Sequence, residues 1–125
     1  MHKSEYTFSQ KTVSYYFDAD FALIEELVKD ANVIVITDKN IFSDHGTKLS
    51  AYPIIKFDAG EAYKNQATVD YIIVELIKLG ANKNTFLIGV GGGVVTDITG
   101  YVAAVYMRGI RFGLVPTSIL AMVDH

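Results

Sequence analysis

The sequence predicts a doubly wound α/β domain with a mostly parallel sheet, preceded by a β-hairpin. Three observations lead there: four short apolar runs rich in β-branched and aromatic residues, helical apolar stripes between them, and a period-two alternation near the start. The alternation comes first. Tyr6, Phe8, Val13, Tyr15 and Phe17 fall at alternate positions around the polar Ser9-Gln10-Lys11-Thr12, a hairpin pattern. Asp20 then stands as an N-cap before Phe21, Leu23, Ile24, Leu27 and Val28, whose spacing puts them on one face of a short helix.

The four runs are Val33 to Ile36, Tyr52 to Phe57, Thr85 to Val90, and Ile110 to Val115. Each is too short for a buried helix and too continuously apolar for a half-exposed strand, so buried parallel strands are expected. Helical segments separate them. One spans about Thr68 to Leu79, where Val69, Ile72, Ile73, Leu76 and Leu79 form a stripe and Gly80 supplies a left-handed stop. Another begins near Val94, carries Ile98, Val102, Val105 and Tyr106, and ends before Gly109. Alternating strands and helices imply crossover connections and a doubly wound sheet.

Composition narrows the class. At 125 residues, half of them apolar, the chain suits one domain with a sizeable core, and disorder is not expected. Eleven Lys and Arg against 14 Asp and Glu give a net charge of −3 with no basic run, which argues against a nucleic-acid partner. The absence of cysteine removes disulfides, thiolate metal sites and a cysteine nucleophile, and fits a reducing compartment. MHKSEYTFSQ has no apolar signal segment, and no stretch reaches the ~18 apolar residues of a membrane span. A soluble cytoplasmic domain without a membrane partner is expected.

In an open parallel sheet, ligands bind outside the carboxyl ends of the strands, where loop amides and helix N-termini converge. The first run is followed by Thr37-Asp38-Lys39-Asn40, and the second by Asp58-Ala59-Gly60-Glu61 with Lys64 close behind. The third leads into Gly91-Gly92-Gly93, Thr96 and Asp97, and the fourth into Pro116-Thr117-Ser118. The triple glycine is the sharpest feature. Backbone without side chains at a helix start can approach a diphosphate, and the helix's positive end favours that anion. It is not the common dinucleotide fingerprint, because Val94 stands where the last glycine should fall, and no Lys-Ser/Thr pair makes a P-loop.

Each other residue also has a plainer reading. Asp38 could accept from ribose hydroxyls or simply cap a helix. Asp97 could complement a helix dipole from the first turn. Glu61 and Lys64 alone would be solvated charges. Arg108 could complete a helix C-terminus or grip an anion beside the phosphate cradle, and Thr117 and Ser118 could cap a helix. Grouping on one edge of one sheet favours a site. His2, His45 and His125 form no ligand-like cluster, so no metal is assigned.

The stretch GVGGGVVTDITGYVAAVYMRGIRFGLVPTSILAMVD, Gly89 to Asp124, resembles the first domain of the 3-dehydroquinate synthase family. The glycine turn, Asp97, Met107-Arg108-Gly109 and Val115-Pro116-Thr117 occur in the family's order, and Gly60-Glu61-Ala62-Tyr63-Lys64 is similar to its Glu-x-x-Lys element. The resemblance implies a Rossmann-like NAD-binding fold. Asp38 and Asn40 would then lie against the adenosine, and Glu61 and Lys64 would be cofactor contacts. Gly92, Gly93 and Val94 would hold the diphosphate, with Asp97, Thr117 and Ser118 nearby. Arg108, placed near the substrate phosphate, and Asp124 would be substrate contacts. Thr96 and Ser118 replace a usual glycine and threonine, and His125 stands where a small residue normally leads into a lysine-bearing loop.

The family's reaction converts a sugar phosphate, 3-deoxy-D-arabino-heptulosonate 7-phosphate, to 3-dehydroquinate and phosphate on the shikimate route to chorismate and aromatic amino acids. NAD removes and returns a hydride, phosphate leaves between those steps, and an aldol step closes the ring. The divalent metal, zinc or cobalt, is held in the family by a helical second domain, which these residues do not include. The resemblance therefore implies that residues 1–125 form a single NAD-binding domain, the N-terminal part of a two-domain, homodimeric lyase. That part would carry no catalytic residue or metal ligand and would be inactive alone. Another sugar-phosphate cyclase, an iron-dependent polyol dehydrogenase and a non-catalytic nucleotide-binding module are the alternatives.

Overall fold

The computed structural model of the protein describes residues 2–8, 11–17, 32–49 and 51–116. The helix expected after Asp20, and Thr117, Ser118, Asp124 and His125, lie outside the described residues. Strands β1 (His2–Phe8) and β2 (Lys11–Phe17) pair antiparallel from His2 opposite Phe17 to Phe8 opposite Lys11. Lys11 and Thr12, expected in the break, are therefore strand residues. β2 also contacts the last strand of the main sheet.

The main sheet is built from β3 (Asn32–Asp38), α1 (Lys39–Leu49), β4 (Ile54–Phe57), α2 (Gln66–Lys78), β5 (Thr85–Gly91), α3 (Gly93–Val105) and β6 (Arg111–Pro116). Its four strands run parallel in the order β4-β3-β5-β6. Val33 to Thr37 and all of β5 are buried, which is why those runs read as continuously apolar. The edge strand β4 alternates instead, with Ile55 and Phe57 buried and Lys56 exposed. It starts at Ile54 rather than Tyr52, because Tyr52 donates its amide to Leu49 and Pro53 has no amide to give the ladder.

Two apolar layers flank the sheet. On one face Val69, Ile72 and Leu76 of α2 and Val95, Ile98 and Val102 of α3 pack on Ile34, Ile36, Ile55 and Leu87. On the other, Leu49 and Ile41 of α1 pack with Val33, Val35, Ile88 and Val115. Helices on both faces make the sheet doubly wound, as the alternation of elements predicts. Gly80 follows α2 with φ 74°, the left-handed stop expected there. The chain order reverses between β3 and β5, so the carboxyl ends of those two strands frame the crevice. Thr37 ties them together beneath it, its buried hydroxyl donating to the Val90 carbonyl at 2.7 Å.

Candidate functional site

The turn from β5 into α3 is shaped by three glycines with different tasks. Gly91 has φ 154°, which residues with side chains rarely adopt, and a Cβ there would lie 2.7 Å from Val95 Cγ2. Gly92 and Gly93 are exposed, and no heavy atom lies within 4 Å of a Cβ added at either. Gly92 is the N-cap of α3 and offers no side chain to the free amides of the first turn. Val94 packs its side chain against the core, so what it presents at the helix start is its amide. Thr96, where glycine is usual, turns its hydroxyl back to the Gly93 carbonyl at 3.1 Å and leaves the glycine positions clear. Bare backbone, unpartnered amides and the positive helix end together fit an anion such as a diphosphate.

A lysine stands beside this mouth. Residues Glu61–Tyr63 form a 3-10 turn that puts Glu61 and Lys64 on one side. Lys64 Nζ donates to Asp97 Oδ2 at 2.7 Å and lies 3.8 Å from Glu61 Oε1. The hydrogen bond to Asp97, then the charges of Asp97 and Glu61, hold the lysine above its usual value, so its ammonium stays charged at neutral pH. Asn65 fixes the turn to α2: its amide nitrogen donates to the Ala62 carbonyl at 3.0 Å, while its oxygen accepts from the Thr68 amide at 2.9 Å. Lys64, Asn65, Gln66, Asp97 and Tyr101 line an open cleft of about 340 Å³ between α2 and α3. Asp97 is thus brought to Glu61 and Lys64 from 33 residues beyond Lys64.

At the end of β3, Asp38 Oδ1 accepts from the Ile41 amide at 2.8 Å and caps α1, as the plainer reading of an Asp before a helix expects. Asn40 is exposed in the first turn of that helix. Two residues not singled out from the sequence join here: Lys39 Nζ lies 2.9 Å from Asp58 Oδ1, linking the start of α1 to the residue after β4. Their separation in sequence hides the pair until the order of the strands is known.

The plainer reading of Asp97, a complement to the helix dipole from the first turn, falls, because α3 begins at Gly93 and Asp97 is its fifth residue, paired with Lys64. One expectation needs correction. Arg108 does not lie beside the phosphate cradle. The 13 residues of α3 carry the chain about 20 Å away, at about 1.5 Å per residue, to the amino-end edge of the sheet. Met107 and Arg108 there take φ values of 48° and 67°, a left-handed pair that unwinds the helix. Among the described residues no group of three or more His, Cys, Asp and Glu could hold a metal ion, and no helix is long and apolar enough to cross a membrane.

Comparison with known proteins places this geometry. Residues 54–125 match the family model described as 3-dehydroquinate synthase N-terminal. The 3-dehydroquinate synthase of Pyrococcus furiosus is 55% identical over 65 residues, 52% of this chain and 19% of that protein. That of Sulfurimonas denitrificans is 35% identical over 121 residues, 92% of this chain and 35% of that protein. A crystal structure of 2-deoxy-scyllo-inosose synthase complexed with carbaglucose-6-phosphate, NAD+ and Co2+ superposes with a TM-score of 0.69 at 26% identity, over 93% of this chain and 35% of that one. The chain thus spans about a third of the Sulfurimonas enzyme's length. Its own fold is Rossmann-like and doubly wound, and the chain belongs to the 3-dehydroquinate synthase family, whose N-terminal model it matches.

Proposed function

We propose that residues 1–125 are the NAD-binding domain of a two-domain 3-dehydroquinate synthase. The enzyme would convert 3-deoxy-D-arabino-heptulosonate 7-phosphate to 3-dehydroquinate and phosphate, as a carbon–oxygen lyase on the route to chorismate. One observation carries the reading: the start of α3 is left open from Gly92 to Val94, with the Lys64–Asp97 pair beside it. Family membership supports the reaction, and the NAD+ and Co2+ of the inosose synthase support the cofactor and metal classes. In this reading the amides of Gly92, Gly93 and Val94 donate to the diphosphate, and the charged Lys64, steered by Asp97 and Glu61, answers its negative charge. Asp38 and Asn40 orient the adenosine, and the family resemblance adds Thr117 and Ser118 as cofactor contacts and Asp124 as a substrate contact. NAD+ supplies a reversible hydride acceptor when bound.

The role of Arg108 in this reading is a substrate contact and not a cofactor contact; at the far end of α3 it lies away from the diphosphate mouth of its own chain. Zinc or cobalt would be held by the helical second domain, and the enzyme would act as a cytoplasmic homodimer. The reading is tested by assaying the intact enzyme with the heptulosonate phosphate, NAD+ and zinc. Phosphate release without accumulation of NADH is expected, and no turnover from residues 1–125 alone. NADH accumulating without phosphate release would instead make the protein a polyol dehydrogenase, and turnover by the short chain would refute the need for a second domain.

A further inference from the structure

We propose that Asp58, by holding Lys39 in an ion pair, makes the adenosine end of the site selective for a ribose 2′-hydroxyl over a 2′-phosphate; the inference rests on the nucleotide reading above. Lys39 is the first residue of α1, directly after Asp38, and Asp58 follows β4 three residues before Glu61. Their contact is 2.9 Å, and both side chains are about half exposed, 57% and 51%, so a ligand can reach them. They line an open cleft of about 460 Å³ together with Lys56, Tyr63, Asn65 and Tyr71. Lys56 is placed by the Phe42 ring, its ammonium 3.9 Å from the centroid.

In dinucleotide sites of this architecture an acid takes the ribose 2′-hydroxyl, whereas a cation accommodates a 2′-phosphate. This cleft holds both kinds of group, and the ion pair decides between them. With Asp58 present, Lys39 is already engaged, and its proton is held more tightly than a free lysine's, first by the hydrogen bond to Asp58 and then by its charge. A 2′-phosphate entering there would meet the Asp58 carboxylate and would have to displace it from Lys39. Like-charge contacts of that kind reject a ligand more strongly than a missing contact does. Without Asp58, two lysines would line the cleft with no carboxylate between them, which is a phosphate site.

Calorimetric titration of the intact protein with NAD+ and NADP+ separately tests this. Wild type should prefer NAD+ by about 30-fold or more, and Asp58→Asn should tighten NADP+ about tenfold while NAD+ changes less than about threefold. Adding Lys39→Ala to Asp58→Asn should remove the gain, because the freed ammonium is its source. The proposal is overturned if Asp58→Asn leaves NADP+ affinity unchanged, shifts both cofactors equally, or keeps its gain without Lys39. Wild type that binds neither cofactor would instead overturn the nucleotide reading on which the proposal stands.

Discussion

Helices α2 and α3 are each 13 residues long and pack on the same face of the sheet, yet they begin in opposite ways. α2 closes its own start: Asn65 accepts from the Thr68 amide, and α1 does the same through Asp38 and Ile41. α3 begins on Gly92, with no side chain to accept from its first amides and open space where one would stand. An unmade cap forgoes some stability, which a structural helix has no reason to do. In the proposed reading, that difference marks the one helix start left open for the diphosphate. Lys64 and Asp97 reinforce it, since their ion pair runs from the 3-10 turn before α2 to α3.

The most forceful way to break the contrast is to cap α3 artificially. Gly92→Asp should lower NAD+ affinity by about 100-fold, because a carboxylate would occupy the amides and repel the diphosphate. Its thermal midpoint should stay equal to wild type or rise slightly; unchanged affinity by calorimetry would erase the distinction between the two helix starts. Next comes a glycine a few residues earlier with a purely structural task. A Cβ on Gly89 would lie 2.8 Å from Thr99 Cβ in the buried β5–α3 contact, so Gly89→Ala should cost about 1–3 kcal/mol in urea unfolding. Gly93→Ala, with nothing within 4 Å, should fold normally but bind NAD+ more weakly.

Removing the natural cap of α2 sharpens the comparison from the other side. Asn65→Ala should destabilise the protein by about 1 kcal/mol, and a loss near zero would mean that the cap geometry carries little. The smallest expected effect is electrostatic. Because the partners of Lys64 raise its value in the folded protein, their contribution is complete below lysine's ordinary 10.5 and is lost as pH climbs through the raised value. Stability should therefore fall across that alkaline range, and Lys64→Met should flatten the fall. A pH profile superimposable on wild type would detach Lys64 from Asp97.

Much of the fold was legible because buried parallel strands leave continuous apolar runs, and β3, β5 and β6 do so. α1 was implied only by the alternation of elements. Its sequence, KNIFSDHGTKL, is polar and contains Gly46, so it shows little stripe to mark its bounds. At the site, the glycine turn stood out because its chemistry is local. The partner of Asp97 is hidden in the sequence because its ion pair with Lys64 depends on where α2 and α3 sit, and the Lys39–Asp58 contact depends on strand order in the same way. Arg108 was misplaced for a reason that counting could have caught: a three-to-four-turn helix separates it from the glycines, so one chain cannot present both at one sheet edge.

The most direct test follows the backbone amides of Gly92 and Gly93 by NMR while NAD+ is added to the intact protein. Saturable shifts of both signals, larger than that of the capped Thr68 amide, are the expected result. Signals that stay in place while NAD+ demonstrably binds elsewhere would contradict the account.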